Sequence, residues 1–288
     1  MITFLHLGRY GRLGNQLFQY AALKSIALEN NYECKIPDPA TMRWHGQECL
    51  LNELNIEAPF LKPEDIQTLA HQAVEPSHHE YYPAFHDLPD NTNIHGFFQS
   101  TYYFENYKNQ IRKELTPAAH HMDEAATYLS GLRSKGQEVV SVHLRRGDLC
   151  EQGSDLNFYG NTDIFDKSSI YGNYLDRALG CFKDRDVVFL VFTGGSRSGD
   201  DTADIEWAKR SFRGEGWHVA DSNDPIKDLS LIASCDHNIV CHLSTFGWWG
   251  AYLNQNDKKI TIAPQDYYFD QAAGYERAGF MPEEWRLV

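Results

Sequence analysis

The hydrophobic pattern of the chain changes character near its middle. From residue 139 onward short apolar runs alternate with stretches whose apolar residues recur at helical spacing. Residues 139–144, 187–192, 218–220, 239–241 and 259–263 read as strands. Residues 171–182, 205–212, 224–234 and 246–253 read as the helices between them. Strand-helix alternation of this kind predicts a parallel sheet with right-handed crossovers. The first half shows a looser version, with strands expected at 2–7, 32–36 and 94–98. Helices are expected there at 17–30, 104–115 and 123–135, with a turn over 8–14 before the first. Residues 37–93 are rich in Pro and His and predict only short helices. Ser134-Lys135-Gly136-Gln137 reads as a linker. The division is then into α/β domains 1–136 and 137–288, facing each other across a cleft.

Composition narrows the partners. Against 26 Lys and Arg stand 40 Asp and Glu, a formal charge of -14 that disfavours nucleic acid and anionic membrane surfaces as partners. The six cysteines form no C-x-x-C pair, which reads as buried thiols in a reducing compartment. No run approaches 18 apolar residues and no basic flank precedes the first apolar stretch. A cytoplasmic protein is expected, with peripheral membrane attachment as the alternative.

Three segments carry chemistry. The strand over 139–144 runs straight into His143-Leu144-Arg145-Arg146-Gly147-Asp148. Two planar, permanently charged forks at the carboxyl end of a strand suit phosphate oxygens, in the crevice where open α/β sheets bind ligands. The competing reading is a surface salt-bridge cluster. Gly11-Arg12-Leu13-Gly14-Asn15-Gln16 lies between the first strand and first helix, where the backbone can approach an anion closely. It is neither G-x-G-x-x-G nor a Walker loop, so dinucleotide and ATP sites lose ground. Ser244-Thr245-Phe246-Gly247-Trp248-Trp249 stands at another strand-helix junction, with hydroxyls suited to phosphate or to a plain N-cap. Trp248 and Trp249 read as helix packing. Asp184-Arg185-Asp186 has D-x-D spacing but precedes its strand, so no metal is expected.

In this order the three segments resemble the inverting α-1,2-fucosyltransferases of glycosyltransferase family 11. Gly96-Phe97-Phe98-Gln99-Ser100, the stretch 228–238, Ile262-Ala263-Pro264 and Pro282-Glu283-Glu284-Trp285 match as well. The resemblance implies a GT-B-like fold of two Rossmann-like halves. It also implies transfer of L-fucose from GDP-β-L-fucose to O2 of a galactose in an oligosaccharide, with no cofactor beyond that donor. The second half would bind the donor, and the first would take the acceptor and close a loop over the donor.

Carried onto this chain, the resemblance puts Arg145 on the diphosphate, with Arg146 supporting the strand end. His143 and Asp228 would stand around the guanosine, and Ser244, Thr245 and Phe246 on the phosphate side. Gly14 and Asn15 would lie over the diphosphate and the fucose. Asp148 is the first candidate for general base or else a partner of Arg146, Glu151 is the second, and a departing phosphate oxygen is the third. Two departures stand out. Many members have Asn-Ser-Ser-Phe-Ser where this chain has Leu243-Ser244-Thr245-Phe246-Gly247. Many have Phe-Ser-Asp-Asp where it has Phe192-Thr193-Gly194-Gly195 and an insertion, 196–203, so no nucleotide contact is assigned to the 193–204 loop. The alternatives are a GDP-fucose transferase of other linkage or acceptor, and a non-catalytic carbohydrate-binding protein.

Overall fold

A computed structural model describes residues 1–77, 80–150, 170–265 and 279–288. Its contacts divide the described chain into two units, 1–118 with 279–282 and 119–265 with 283–288.

The first unit runs β1 (Ile2–Thr3), α1 (Leu13–Glu29), β2 (Cys34–Lys35), β3 (Arg43–Trp44), β4 (Gln47–Glu48), α2 (Pro63–Gln67), β5 (His71–Val74), β6 (Thr92–His95) and α3 (Lys108–Leu115). Four strands form a parallel sheet in the order β2-β1-β6-β5, and β3 and β4 make a separate antiparallel hairpin. α1 is buried along most of its length, with Leu17, Phe18, Tyr20, Ala21 and Leu23 sealed from solvent. It starts at Leu13 rather than 17, so Gly14 and Asn15 belong to its first turn and not to the turn before it. The strand expected over 2–7 stops at Thr3, because the chain turns back with Leu7 N–H on the Phe4 carbonyl. β5 lies inside the region that predicted no strand. Its residues are mostly exposed at the sheet edge, so no apolar alternation marks it.

The second unit runs α4 (Ala119–Leu132), β7 (Glu138–Arg145), α5 (Gly147–Cys150), α6 (Ile170–Gly180), β8 (Val187–Gly194), α7 (Thr202–Ser211), β9 (Trp217–Val219), α8 (Pro225–Ser234), β10 (His237–Ile239), α9 (Thr245–Leu253), β11 (Thr261–Ala263) and β12 (Arg286–Leu287). All six strands are parallel, in the order β9-β8-β7-β10-β11-β12. In order of appearance this is 3-2-1-4-5-6, the Rossmann arrangement, which reverses direction between its first and fourth strands. Those strands are β7 and β10. Val139 to Leu144 are all buried because helices cover both faces. Val140, Val142 and Leu144 pack with Tyr174, Leu175 and Ala178 of α6, whereas Val139 packs with Ala125 and Leu129 of α4 and Leu231 of α8. That second packing explains why the division falls at 118 and not at the linker expected near 136. α4 supplies a wall of the second core, and the 3-10 turn Arg133–Lys135 merely joins it to β7.

Candidate active site

Where the sheet of the second unit reverses, the end of β7 meets the segment leaving β10. Arg145 is the last residue of β7 and pairs in register with Gly194 of β8. Its side chain is 24% exposed. Asp148 Oδ1 accepts from Arg145 Nε (3.3 Å) and Nη2 (3.0 Å), and Oδ2 accepts from Nη2 (2.9 Å). The Leu243 carbonyl accepts from Nη1 at 2.9 Å. Asp148 is buried, and its partner is therefore Arg145, one helical step away, rather than Arg146. A guanidinium fixed on one edge by a carboxylate and at Nη1 by a carbonyl has its plane set before any ligand arrives.

Arg146 is held by a different group. Its Nε donates to Asp204 Oδ1 (3.1 Å), its guanidinium carbon lies 3.6 Å from the centre of the Trp207 ring, and Asp204 Oδ2 accepts from Gly147 N–H at 2.9 Å. Asp204 and Trp207 stand three residues apart on α7, on one face of the helix. Gly147 has φ +30°, and a β-carbon there would overlap the Gly195 carbonyl. The turn after β7 thus admits no larger residue at that point. The insertion brings carboxylates back to the loop it interrupts. Asp201 Oδ1 accepts from Gly195 N–H (2.9 Å) and Ser196 N–H (2.8 Å), and Asp204 clamps the arginine turn.

His143 is buried, with Nδ1 3.2 Å from Cys241 Sγ and its ring 5.6 Å from that of Phe246. Burial, and then the charge of Arg145, hold its pKa down at about 3, so the imidazole is neutral near pH 7. A β-carbon at Gly247 would come within 2.7 Å of His143 Nδ1, so the close approach of the imidazole favours glycine there. Ser244 is the N-cap of α9, its hydroxyl accepting from Gly247 N–H at 3.3 Å, and Thr245 and Phe246 open the helix. Trp248 and Trp249 are fully buried, Trp248 stacking on Tyr252 at 4.8 Å, as packing residues do.

Asp228 sits in the first turn of α8. Its Oδ1 is sealed from solvent with no hydrogen-bond partner among the described residues. Burial, followed by the charges of Asp224 and Asp201, raises its pKa well above the usual carboxylate range. In the first unit, Asn15 Oδ1 accepts from Gln99 Nε2 at 2.9 Å, while Gly14 lies buried beside it in α1. The second candidate base, Glu151, lies outside the described residues.

Sequence reasoning passed over Asp204, Trp207, Cys241 and Gln99 as partners. Only the D-x-x-W spacing after the insertion and the Gln99 of the quoted motif offered a signal.

Two α/β units, one with the Rossmann strand order and a paired-arginine turn at its reversal, define a chain of the GT-B-like type. POFUT1 in complex with GDP-fucose superposes with a TM-score of 0.54 at 11% identity, covering 91% of this chain and 97% of that one. A mutant of Arabidopsis thaliana FUT1 in complex with GDP gives 0.50 at 11%, covering 92% and 71%. The chain belongs to glycosyl transferase family 11, whose family model matches residues 5–287. Galactoside alpha-(1,2)-fucosyltransferase 1 of Rattus norvegicus is 31% identical over 257 residues, 86% of this chain and 62% of that protein. The Homo sapiens protein of the same name is 30% identical over 255 residues, 86% and 64%. The chain thus spans less than two thirds of the length of these relatives. Among the described residues no helix is long and apolar enough to cross a membrane.

Proposed function

We propose that this protein is a galactoside α-1,2-fucosyltransferase, moving L-fucose from GDP-β-L-fucose to O2 of a galactose in an oligosaccharide with inversion. The observation that carries this reading is Arg145, preset by Asp148 and Leu243 where the Rossmann sheet reverses. The anomeric carbon exchanges its bond to the β-phosphate oxygen for one to O2. Negative charge grows on the departing phosphate, so a fixed guanidinium there stabilises the transition state more than the ground state. That guanidinium supplies the positive charge at the leaving group, and no metal enters the reading. Undiminished turnover in EDTA is expected.

Asp148 has both oxygens on Arg145, which favours it as the group that orients the arginine. The O2 proton is then assigned to an oxygen of the departing phosphate. Arg146, stacked on Trp207 and paired with Asp204, keeps the turn in shape. Ser244, Thr245 and Phe246 open α9, whose N-terminal N–H groups suit phosphate oxygens. Asp228, in the first turn of α8, is assigned to the guanosine, together with the neutral His143 beside Phe246. In the first unit Gly14 and Asn15, in the first turn of α1, are the residues assigned to the fucose. A cytoplasmic location remains part of this proposal.

The test is incubation with GDP-fucose and lactose, with the product linkage read by NMR. A 2'-fucosylated product of inverted configuration is expected. A different linkage would favour another GDP-fucose transferase of the superfamily, and donor hydrolysis without transfer would point to another acceptor. Absence of both turnover and donor-dependent thermal stabilisation would overturn the reading.

A further inference from the structure

Two glycines stand where β8 ends and the insertion begins. Gly194 has φ +138° and Gly195 has φ +100°, and neither has a side chain to fix the backbone it bends. This strip runs directly against the arginine turn. Arg145 pairs with Gly194 in the sheet, and a β-carbon at Gly147 would lie 2.1 Å from the Gly195 carbonyl carbon.

The hydrogen bonds of the strip sort by peptide unit. The unit joining Gly194 to Gly195 accepts from Arg146 N–H at its carbonyl (3.1 Å) and donates its N–H to Asp201 Oδ1 (2.9 Å). The unit joining Gly195 to Ser196 accepts from Asp148 N–H (3.1 Å) and donates to the same Oδ1 (2.8 Å). Two successive peptides are thus held at both ends, by one carboxylate oxygen and by the arginine turn. A charged acceptor strengthens the bond from each N–H and polarises the peptide behind it, which makes each carbonyl the better acceptor.

Asp201 also occupies the N-cap position of α7, where a carboxylate ordinarily accepts from N–H groups of its own first turn. Its side chain makes no such bond and turns to Gly195 and Ser196 instead. Its backbone is tied on both sides, the N–H to Asn223 Oδ1 (3.2 Å) and the carbonyl to Ile205 N–H (3.0 Å). Glycine at 194 admits the carboxylate, since a β-carbon there would stand 2.2 Å from Asp201 Oδ2. A residue kept only to start α7 would cap it. This one forgoes the cap and grips the peptides behind Arg146 and Asp148.

We infer that Asp201, inside the insertion, is a positioning residue for fucosyl transfer. It fixes Gly194 and Gly195, these fix the backbone of Arg146 and Asp148, and Asp148 sets the guanidinium plane of Arg145. This role rests on the fucosyltransferase reading, with Arg145 at the leaving group.

The experiment uses the intact chain with Asp201→Ala and Asp201→Asn, each in the wild-type and the Arg145→Lys background, with kinetics taken well below every melting temperature. Charge on the departing phosphate is greatest in the transition state, so a misaimed guanidinium lowers kcat before it weakens ground-state binding. The alanine variant is expected to lose about tenfold in kcat, and the asparagine variant, which keeps a neutral acceptor, about threefold. KM for GDP-fucose and for lactose should stay within roughly twofold. In the Arg145→Lys background no planar fork remains to be aimed, and the same substitutions should change kcat by less than about twofold. With a wild type that transfers fucose, a folded Asp201 variant keeping the wild-type kcat, or a loss of equal size in both backgrounds, overturns the role and leaves the function standing. A wild type that neither binds nor turns over GDP-fucose removes the function, and the role falls with it.

Discussion

The two units place candidate functional groups at the ends of adjacent parallel strands, but they order those groups by different means. In the second unit the groups are charged, and each arginine is aimed by a carboxylate behind it, Asp148 for Arg145 and Asp204 for Arg146. In the first unit the groups are the rings of Tyr10, His95 and Phe97 and the Asn15 amide. There the aiming is done by side chains that grip the backbone, Gln16, Gln19 and Glu75, with Gln99 on Asn15. A charged fork can be aimed by a countercharge, whereas a ring needs only its main chain fixed. The same α/β scaffold therefore orders the groups at its strand ends in two different ways.

The comparison breaks most decisively at Arg145. Arg145→Ala is expected to lose about 3 kcal/mol of transition-state stabilisation, roughly a hundredfold or more in kcat. Arg145→Lys should be nearly as poor, since an ammonium cannot occupy both the Asp148 and Leu243 partners in one plane. Normal turnover in the lysine variant would show that charge alone suffices.

Asp148→Asn tests aiming against proton transfer. An orienting carboxylate predicts a loss of about tenfold in kcat with the shape of the pH profile unchanged. Disappearance of the profile's acid limb would instead make Asp148 the base.

Asp228→Asn separates stability from binding. The raised pKa of Asp228 means that its ionisation opposes folding, and the penalty grows as pH climbs above about 4, the unfolded value. The asparagine variant should therefore melt a few degrees higher without donor, by a margin that widens from acid to neutral pH. GDP should bind it more weakly by calorimetry. An unchanged melting temperature across that range would mean the carboxylate is not strained.

The smallest effect belongs to the first unit. Gln99→Leu removes one hydrogen bond to Asn15, about 1 kcal/mol or roughly fivefold in kcat/KM, with little change in melting temperature. A loss as large as that of Arg145→Ala would erase the distinction between the two ways of aiming.

How far the sequence showed all this depends on the kind of signal. The strands of the second unit were legible because both faces of the sheet are covered, so Val139 to Leu144 read as one buried stretch of mostly β-favouring residues. β5 was hidden because an exposed edge strand such as His71-Gln72-Ala73-Val74 carries no alternation. Arg145 and Asp148 were visible as a motif, yet their pairing was not. Arg146 stands nearer in sequence, and only the helical step of α5 turns Asp148 toward Arg145. Asp204 was masked by the insertion, which moves it in sequence while α7 returns it to the arginine turn.

One strip of chain has a consequence for synthesis. Gly279 accepts from Thr101 N–H and Oγ1, and Phe280 stacks on Phe18, in the first unit. A few residues on, Trp285 lies against Trp248, and Val288 bonds Ala263 and Gln265, in the second. On the ribosome these residues emerge after every other described element. Neither unit can close its packing while they are still in the exit tunnel, so the N-terminal one gains no head start from being made first.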